Sequence, residues 1–421
     1  MEIKKESALK FFQQSAWVGI AAAAGGGFMG LINTFADVLG KEEYGIYTVL
    51  SQAWPLMSIP SLGLAAVFMQ FAVSAEALGH RSVLAGAVRS VFKLNLVLWS
   101  IFGLVFFLFR HKLGILLGVS GSAFLFVTAL VPPASAFLAI FVGVLQGEQN
   151  FAFYGWLQVL AGASRLVLVS ICIGIFGANA RSLATGVLFG FLGTLAVAGW
   201  ETRSIWKVES APFHSGLLAG KILIYTAGLG ASAMLLGLDS LTVRNFFSEQ
   251  DTGIYGAAGI AGRVLIPLSG ALIIVMFPKV ARSKALAGKT SALALTLGLT
   301  ALGAAGAALF LTLFPSLPIR LLQGKKYIDA TPFIPMYCWS LIPLAMGNVL
   351  LYNLLGRERY AAIPFLVLIA GGYAWRLWTH HGSFEEVIHT MGLAGLAFLA
   401  VTVFFTWVWK EQNASLERLS T

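Results

Sequence analysis

The sequence predicts an all-α polytopic membrane protein, with about twelve transmembrane helices in two pseudo-symmetric six-helix lobes. Three observations carry this. Hydrophobic residues make up 58% of the 421 and charged residues only 11%, whereas a soluble domain carries roughly 25% charge. Apolar stretches of about 20 residues, enough to cross a bilayer core, recur along the whole chain. Finally, the chain repeats itself: Gly45-Ile46-Tyr47 returns as Gly253-Ile254-Tyr255, 208 residues on, each copy after an acidic step (Glu42-Glu43, Asp251). A second echo has almost the same offset. Leu145-Gln146-Gly147 with Phe151-Ala152 matches Leu354-Leu355-Gly356 with Tyr360-Ala361. Duplication of a polytopic chain is a frequent mark of transporters.

In order, the spans of the first half fall near residues 15–36, 46–72, 86–109, 122–145, 152–176 and 183–206. Those of the second half fall near 217–243, 253–278, 291–314, 330–354, 361–379 and 387–409. Polar residues and prolines interrupt 330–354 and 361–379. The two lobes are therefore 1–208 and 209–421, with a hinge over Glu201–Ser215 that contains Pro212. An even number of spans per half brings both halves in from the same side, so the repeats are parallel.

Lys and Arg set the orientation. With the N-terminus inside, the inner segments hold Lys4, Lys5, Lys10, Arg81, Arg89, Arg203, Lys207, Lys221, Lys279, Arg282, Lys284, Lys289, Arg357, Arg359, Lys410 and Arg418. The outer segments hold the smaller set Lys41, Arg110, Lys112, Arg181, Arg244, Arg320, Lys325, Lys326 and Arg376. Both termini are expected in the cytoplasm. The net charge of +10 then reflects topology and attraction to anionic headgroups, and no basic soluble domain exists to bind nucleic acid. Met1–Gln14 reads as a cytoplasmic lead-in, since no small-residue cleavage site follows it.

Loops are too short for a nucleotide-binding or catalytic domain, so no enzyme activity and no cofactor are expected. Gly288-Lys289-Thr290 resembles the end of a phosphate-binding loop, but Ser283 stands where the first glycine is needed. Gly228-Leu229-Gly230 lies inside an apolar helix. His380-His381 lie at a span end, and no metal-ligand spacing occurs. Cys172 and Cys338 sit in apolar runs and form no paired pattern. Energy for transport must come from an ion gradient, the membrane potential or the substrate gradient.

A charge at the centre of a membrane helix costs roughly 2.5–3.5 kcal/mol on insertion scales. The deepest here are Arg165, Arg263, Lys93 and Asp239, with Asp37 and Lys221 nearer span ends. On the first span Ser15, Gly19, Ala22, Gly26, Gly30, Asn33 and Asp37 share one face, which reads first as a packing stripe. On the seventh, Lys221, Tyr225, Ser232 and Asp239 share one face. On the eighth, Gly259, Arg263, Pro267 and Gly270 do. Arginine keeps its proton when buried, so Arg263 and Arg165 each need water, an acid or an anionic ligand. Salt bridging to Asp239 is the plain alternative to a cavity role. The excess of buried cations suits an anionic substrate, and the planar arginine fork suits phosphate.

Leu39-Gly40-Lys41-Glu42-Glu43-Tyr44-Gly45-Ile46-Tyr47 resembles a signature at the start of the second span in oligosaccharide flippases, within the multidrug/oligosaccharidyl-lipid/polysaccharide exporter superfamily. Asp239 through Tyr255, then Gly262-Arg263 and Phe277-Pro278, resembles that family's seventh and eighth spans. The resemblance implies two six-helix lobes, a central cavity and alternating access. It implies a polyprenyl-diphosphate-linked anionic oligosaccharide as cargo for surface polysaccharide, with membrane lipids, a polysaccharide polymerase and glycosyltransferases as partners. Arg263, Arg165, Lys93 and Lys221 would then hold the diphosphate, and Asp37 and Asp239 would couple ions or form salt bridges. The alternatives are a cation-coupled multidrug or metabolite exporter of the same superfamily and a non-transporting component of a polysaccharide synthase complex. The first span lacks the arginines of the lipid II flippases, and only about twelve helices fit, which argues against that branch.

Overall fold

A computed structural model describes residues 8–39, 43, 54, 57–109, 129–211, 215–286, 291–322 and 325–409. The main helices are α1 (Ala8–Leu31), α2 (Ile59–Leu78), α3 (Arg81–Leu108), α4 (Val131–Gly147), α5 (Phe151–Phe176) and α6 (Ala180–Glu201). They continue as α7 (Ser215–Phe246), α8 (Glu249–Gly262), α9 (Leu265–Ala285), α10 (Ala292–Leu313), α11 (Phe333–Gly356), α12 (Ile363–Thr379) and α13 (Phe384–Val403). No strand occurs among the described residues. Each expected span has its helix, with α8 and α9 forming one span of Gln250–Ala285. Nine described helices are long and apolar enough to cross a membrane. The protein is a multi-pass membrane protein. The signature tripeptide Gly45-Ile46-Tyr47 and the Gly288-Lys289-Thr290 run lie outside the described residues.

Helix boundaries follow local chemistry. The side chains of Asn150, Asn179, Ser248 and Ser383 accept backbone N–H bonds at the starts of α5, α6, α8 and α13, occupying donors the helix leaves unpaired. Prolines open α2, α4 and α12, where a missing N–H is harmless. Gly79 closes α2 at φ 72°, a conformation that costs an L-residue and not glycine.

The chain folds into two compact units, Met1–Thr226 and Ala227–Thr421, and the division falls within α7. In the first unit α1 packs on α5 through Gly25 and Gly162, where a Cβ on Gly162 would stand 2.1 Å from the Gly25 carbonyl oxygen. Gly143 and Gly147 bring α4 equally close to α2. In the second unit α11 lies between α10 and α13, with Gly347 against the Phe398 ring. Lipid tails are as apolar as these side chains, so close approach at small residues, and not water exclusion, brings the helices together. The predicted packing stripe of α1 is corrected at two of its members. Gly26 and Gly30 face open space, and the contact runs through Gly25 one residue earlier. The face that packs is Phe11, Ser15, Val18, Ala21 and Gly25.

The internal repeat is visible in backbone geometry. Gln149 after α4 and Glu358 after α11 are the positive-φ non-glycine residues of the described chain, at 58° and 56°. Both turns are closed by matching bonds: Gln149 N–H to the Gln146 carbonyl and Asn150 N–H to Leu145, against Glu358 N–H to Leu355 and Arg359 N–H to Leu354. Each turn also carries an acid that pairs with a cation at a terminus of an earlier helix, Glu148 with Arg81 at the start of α3 at 3.0 Å and Glu358 with Lys284 in the last turn of α9. The echo at residues 145 and 354 is therefore one turn built twice.

Candidate functional site

The span α8–α9 is broken at Arg263-Val264, and Pro267 is the cause. A proline has no N–H to give the carbonyl four residues back, and its ring crowds that carbonyl, which here is that of Arg263. The carbonyl of Arg263 accepts instead from the Ile266 N–H at 3.0 Å. A broken membrane helix frees polar groups that must be satisfied inside the protein, and the break places the Arg263 side chain beside α7.

There it meets Asp239, which is fully buried. Nη2 of Arg263 donates to both carboxylate oxygens, at 2.9 Å to Oδ1 and 2.8 Å to Oδ2, and lies 2.7 Å from Oγ of Ser240. The hydroxyls of Tyr255 and Tyr337 also donate to Oδ2, at 2.9 and 2.5 Å. Oδ2 thus receives three donors at 0% exposure, which is what a buried carboxylate requires. The Tyr337 ring lies 5.5 Å from the Arg263 guanidinium carbon and 5.8 Å from the Tyr255 ring. Gly262 makes this possible, since a Cβ there would come within 2.4 Å of the Tyr337 ring. Tyr373 of α12 is a further buried neighbour of the carboxylate. Arg263 remains 30% exposed along its side chain while Asp239 is at 0%. The pair is closed on the acid's side and open on the arginine's.

Of the residues singled out in the sequence, the structure brings together Arg263 and Asp239. Arg165 on α5 lies elsewhere, with its guanidinium 3.7 Å from the Phe191 ring centre and Nη1 3.3 Å from the Met29 sulfur. Gly190 admits its stem. Lys221 sits 5.3 Å from the Phe71 ring centre. Lys93 is exposed on α3. Asp37 falls in the short helical turn Ala36–Leu39, and its side chain is not among those described. The polar face of α7 is spent on packing: Tyr225 donates to Gln70 at 2.7 Å and Ser232 to Asn348 at 2.6 Å, all four residues buried. Sequence reading missed the tyrosines around Asp239. One had a signal, because Tyr255 closes the recurring Gly253-Ile254-Tyr255. Tyr337 and Tyr373 had none. Among the described residues no group of His, Cys, Asp and Glu could hold a metal ion.

No protein-family model matches this sequence, and no curated protein matches it. Solved structures do match. A mutant of the Vibrio cholerae MATE transporter VcmN aligns over 96% of this chain and 98% of its own, at TM-score 0.76 and 14% identity. A multidrug resistance MATE family transporter of the MOP superfamily, in an outward-facing conformation, aligns over 96% and 98% at TM-score 0.74 and 12% identity. A MATE structure in complex with MaL6 aligns over 93% and 95% at TM-score 0.71 and 14% identity. The chain has the MATE fold. At these identities the likeness is one of architecture, and it supports the six-plus-six helix plan expected from the sequence. The MATE fold by itself names no substrate.

Proposed function

We propose that this chain is a secondary exporter of the MOP type, which moves an organic solute across the bacterial inner membrane by alternating access in exchange for a cation. Asp239 is the coupling group and Arg263 its partner. Both termini lie in the cytoplasm. The observation that carries this reading is a fully buried carboxylate, tied to an arginine at a helix break, inside a fold shared over nearly the whole chain with multidrug transporters.

The chemistry follows from the asymmetry of the pair. Arginine holds its proton under all ordinary conditions, so Asp239 is the member whose charge can change. When Asp239 is ionised it fixes Arg263 and, through it, the α8–α9 break. When a proton neutralises the carboxylate, the attraction to Nη2 goes, and Arg263 is free to turn toward its exposed side. That couples one ion to one rearrangement of a broken helix, the kind of element that gates secondary transporters. The test is efflux of a cationic dye from vesicles containing the purified protein under an imposed proton or sodium gradient. Asp239→Asn should abolish the dependence on the gradient. Gradient-driven efflux that survives Asp239→Asn would overturn the assignment.

A second reading keeps a lipid-linked anionic oligosaccharide as the solute. It is favoured by the Leu39–Tyr47 resemblance and by the excess of cations over acids within the spans. In it, Arg263 holds the diphosphate from its exposed side, and a polymerase and glycosyltransferases act with the exporter. Lipid-linked sugar offered beside the dye in the same vesicles distinguishes the two solutes.

A further inference from the structure

The end of α6 carries a second cationic feature, unrelated to Asp239 and Arg263. After Glu201 the chain makes a short turn, Ser204–Lys207, and that turn is held in place from within. Thr202 is buried and bonds back to the Ala198 carbonyl at 2.9 Å, and Ile205 is 2% exposed. Arg89 of α3 donates from Nη2 to the carbonyls of Trp206 and Val208, at 2.7 and 2.8 Å. The Phe92 ring stands edge-on to Trp206 at 5.5 Å. With the backbone carbonyls occupied by Arg89, the side chains of Arg203, Trp206 and Lys207 are left facing outward.

What they present is a mixed aromatic and basic surface. Trp200 is 70% exposed and Trp206 39%, and the Arg203 guanidinium lies 4.6 Å over the Trp200 ring centre. Lys93 follows Phe92 on α3, is exposed, and has no partner among the described residues; Lys207 is in the same condition. The nearby acids do not balance them. Glu201 accepts from Asn150 at 3.3 Å, and Glu209 lies beyond the residues that Arg89 grips.

The depth of this surface can be worked from α3, which has 28 residues and so is about 42 Å long, some 12 Å more than a hydrocarbon core. Its exposed residues from Leu94 to Leu108 are almost all apolar, which puts the core at the C-terminal end. Counting back about 30 Å from Leu108 at 1.5 Å per residue places the core's edge near Arg89. Lys93 is then about one turn inside, within reach of the interface for a side chain that extends its ammonium toward water. Tryptophans belong at this same level.

We propose that the junction of α3 with the turn after α6 is a binding site for the headgroup of an anionic phospholipid. Lys93, Arg203 and Lys207 meet its phosphate and charge, and Trp200 and Trp206 lie along its glycerol and upper chains. Lys93 is thereby assigned to the lipid face of the N-terminal unit and not to a solute. Two lysines with no partner among the described residues, beside exposed indoles at the edge of the hydrocarbon, are matched by a fixed anion that is itself anchored in the membrane.

Native mass spectrometry of the full-length protein, titrated with phosphatidylglycerol, phosphatidylcholine or inorganic phosphate, tests this. One phosphatidylglycerol should bind in clear preference to phosphatidylcholine, and Lys93→Gln with Lys207→Gln should weaken it about thirtyfold, about fivefold for each lysine. The paired Lys→Arg variant should retain binding, which separates charge from shape, and both variants should give monodisperse protein in neutral lipid. Equal binding of the two lipids, equal phosphatidylglycerol affinity in wild type and the double Gln variant, equal loss in the Arg variant, or full displacement by millimolar inorganic phosphate would each overturn the proposal.

Discussion

Replacing Arg263 by alanine should destabilise the protein far more than replacing Asp239 by asparagine, and the structure gives the reason. Nη2 of Arg263 makes three of the contacts that hold the Asp239 and Ser240 side chains. Without it, a carboxylate at 0% exposure keeps, among the described residues, the hydroxyls of Tyr255 and Tyr337. Breaking a buried ion pair by removing one partner costs about 3–5 kcal/mol, against a total stability of about 5–15 kcal/mol. Asp239→Asn is a smaller injury. It leaves an amide that still accepts hydrogen bonds, and the freed arginine is 30% exposed and reaches water, so the loss is about 1–3 kcal/mol. The assay is the thermal unfolding midpoint of each purified variant in one detergent, with the yield of monodisperse protein. Combining Arg263→Ala with Asp239→Asn should recover much of the yield, because no unpaired charge remains in the interior. An Asp239→Asn loss equal to or larger than that of Arg263→Ala would refute the reasoning. Recovery of gradient-driven transport in the double variant would end the coupling role of the pair.

Three other outcomes are expected. Gly262→Ala should lower stability by about 1–3 kcal/mol, measured by the same unfolding assay, because its Cβ would meet the Tyr337 ring at 2.4 Å; adding Tyr337→Leu should reduce that penalty. Gln149→Gly should be neutral or should stabilise by up to about 1 kcal/mol, since the residue sits at φ 58° and glycine adopts that conformation freely; Glu358→Gly at the matching turn should gain less, because it also removes the partner of Lys284. Reporter fusions after Met1 and after Arg203 should read cytoplasm and one near Lys326 the outside, and a cytoplasmic signal at Lys326 would show a span miscounted in the second half.

The coarse plan of the molecule was legible from the sequence because membrane folds obey a one-dimensional rule. Every backbone polar group inside lipid must be satisfied locally, so an apolar run of sufficient length is a helix whatever its neighbours. Pro267 was legible only as one member of a face on a single span, and the break it causes was not, since Pro278 and Pro343 lie inside unbroken helices; the repeated turn at residues 145–150 and 354–359 was marked by matching tripeptides. The sequence also marked Arg263 and Asp239 as costly, since a charge in a span is conspicuous by itself. It could not say which cation meets which acid. Arg165, Lys93, Lys221 and Arg263 look alike along the chain, yet they lie against a thioether and a ring, at an exposed face, over a phenyl ring and on a carboxylate. Those outcomes depend on helix rotation and on contacts between residues far apart in the chain, such as Asp239 with Tyr337 and Arg89 with Val208. The same holds for the glycines of α1: Gly25 packs and Gly26 does not, a distinction of 100° around one helix that composition cannot register. Length and hydropathy alone determined that this chain crosses the membrane about twelve times. Which polar groups share a site was decided only when the helices packed, because that is set by rotation and close approach in three dimensions.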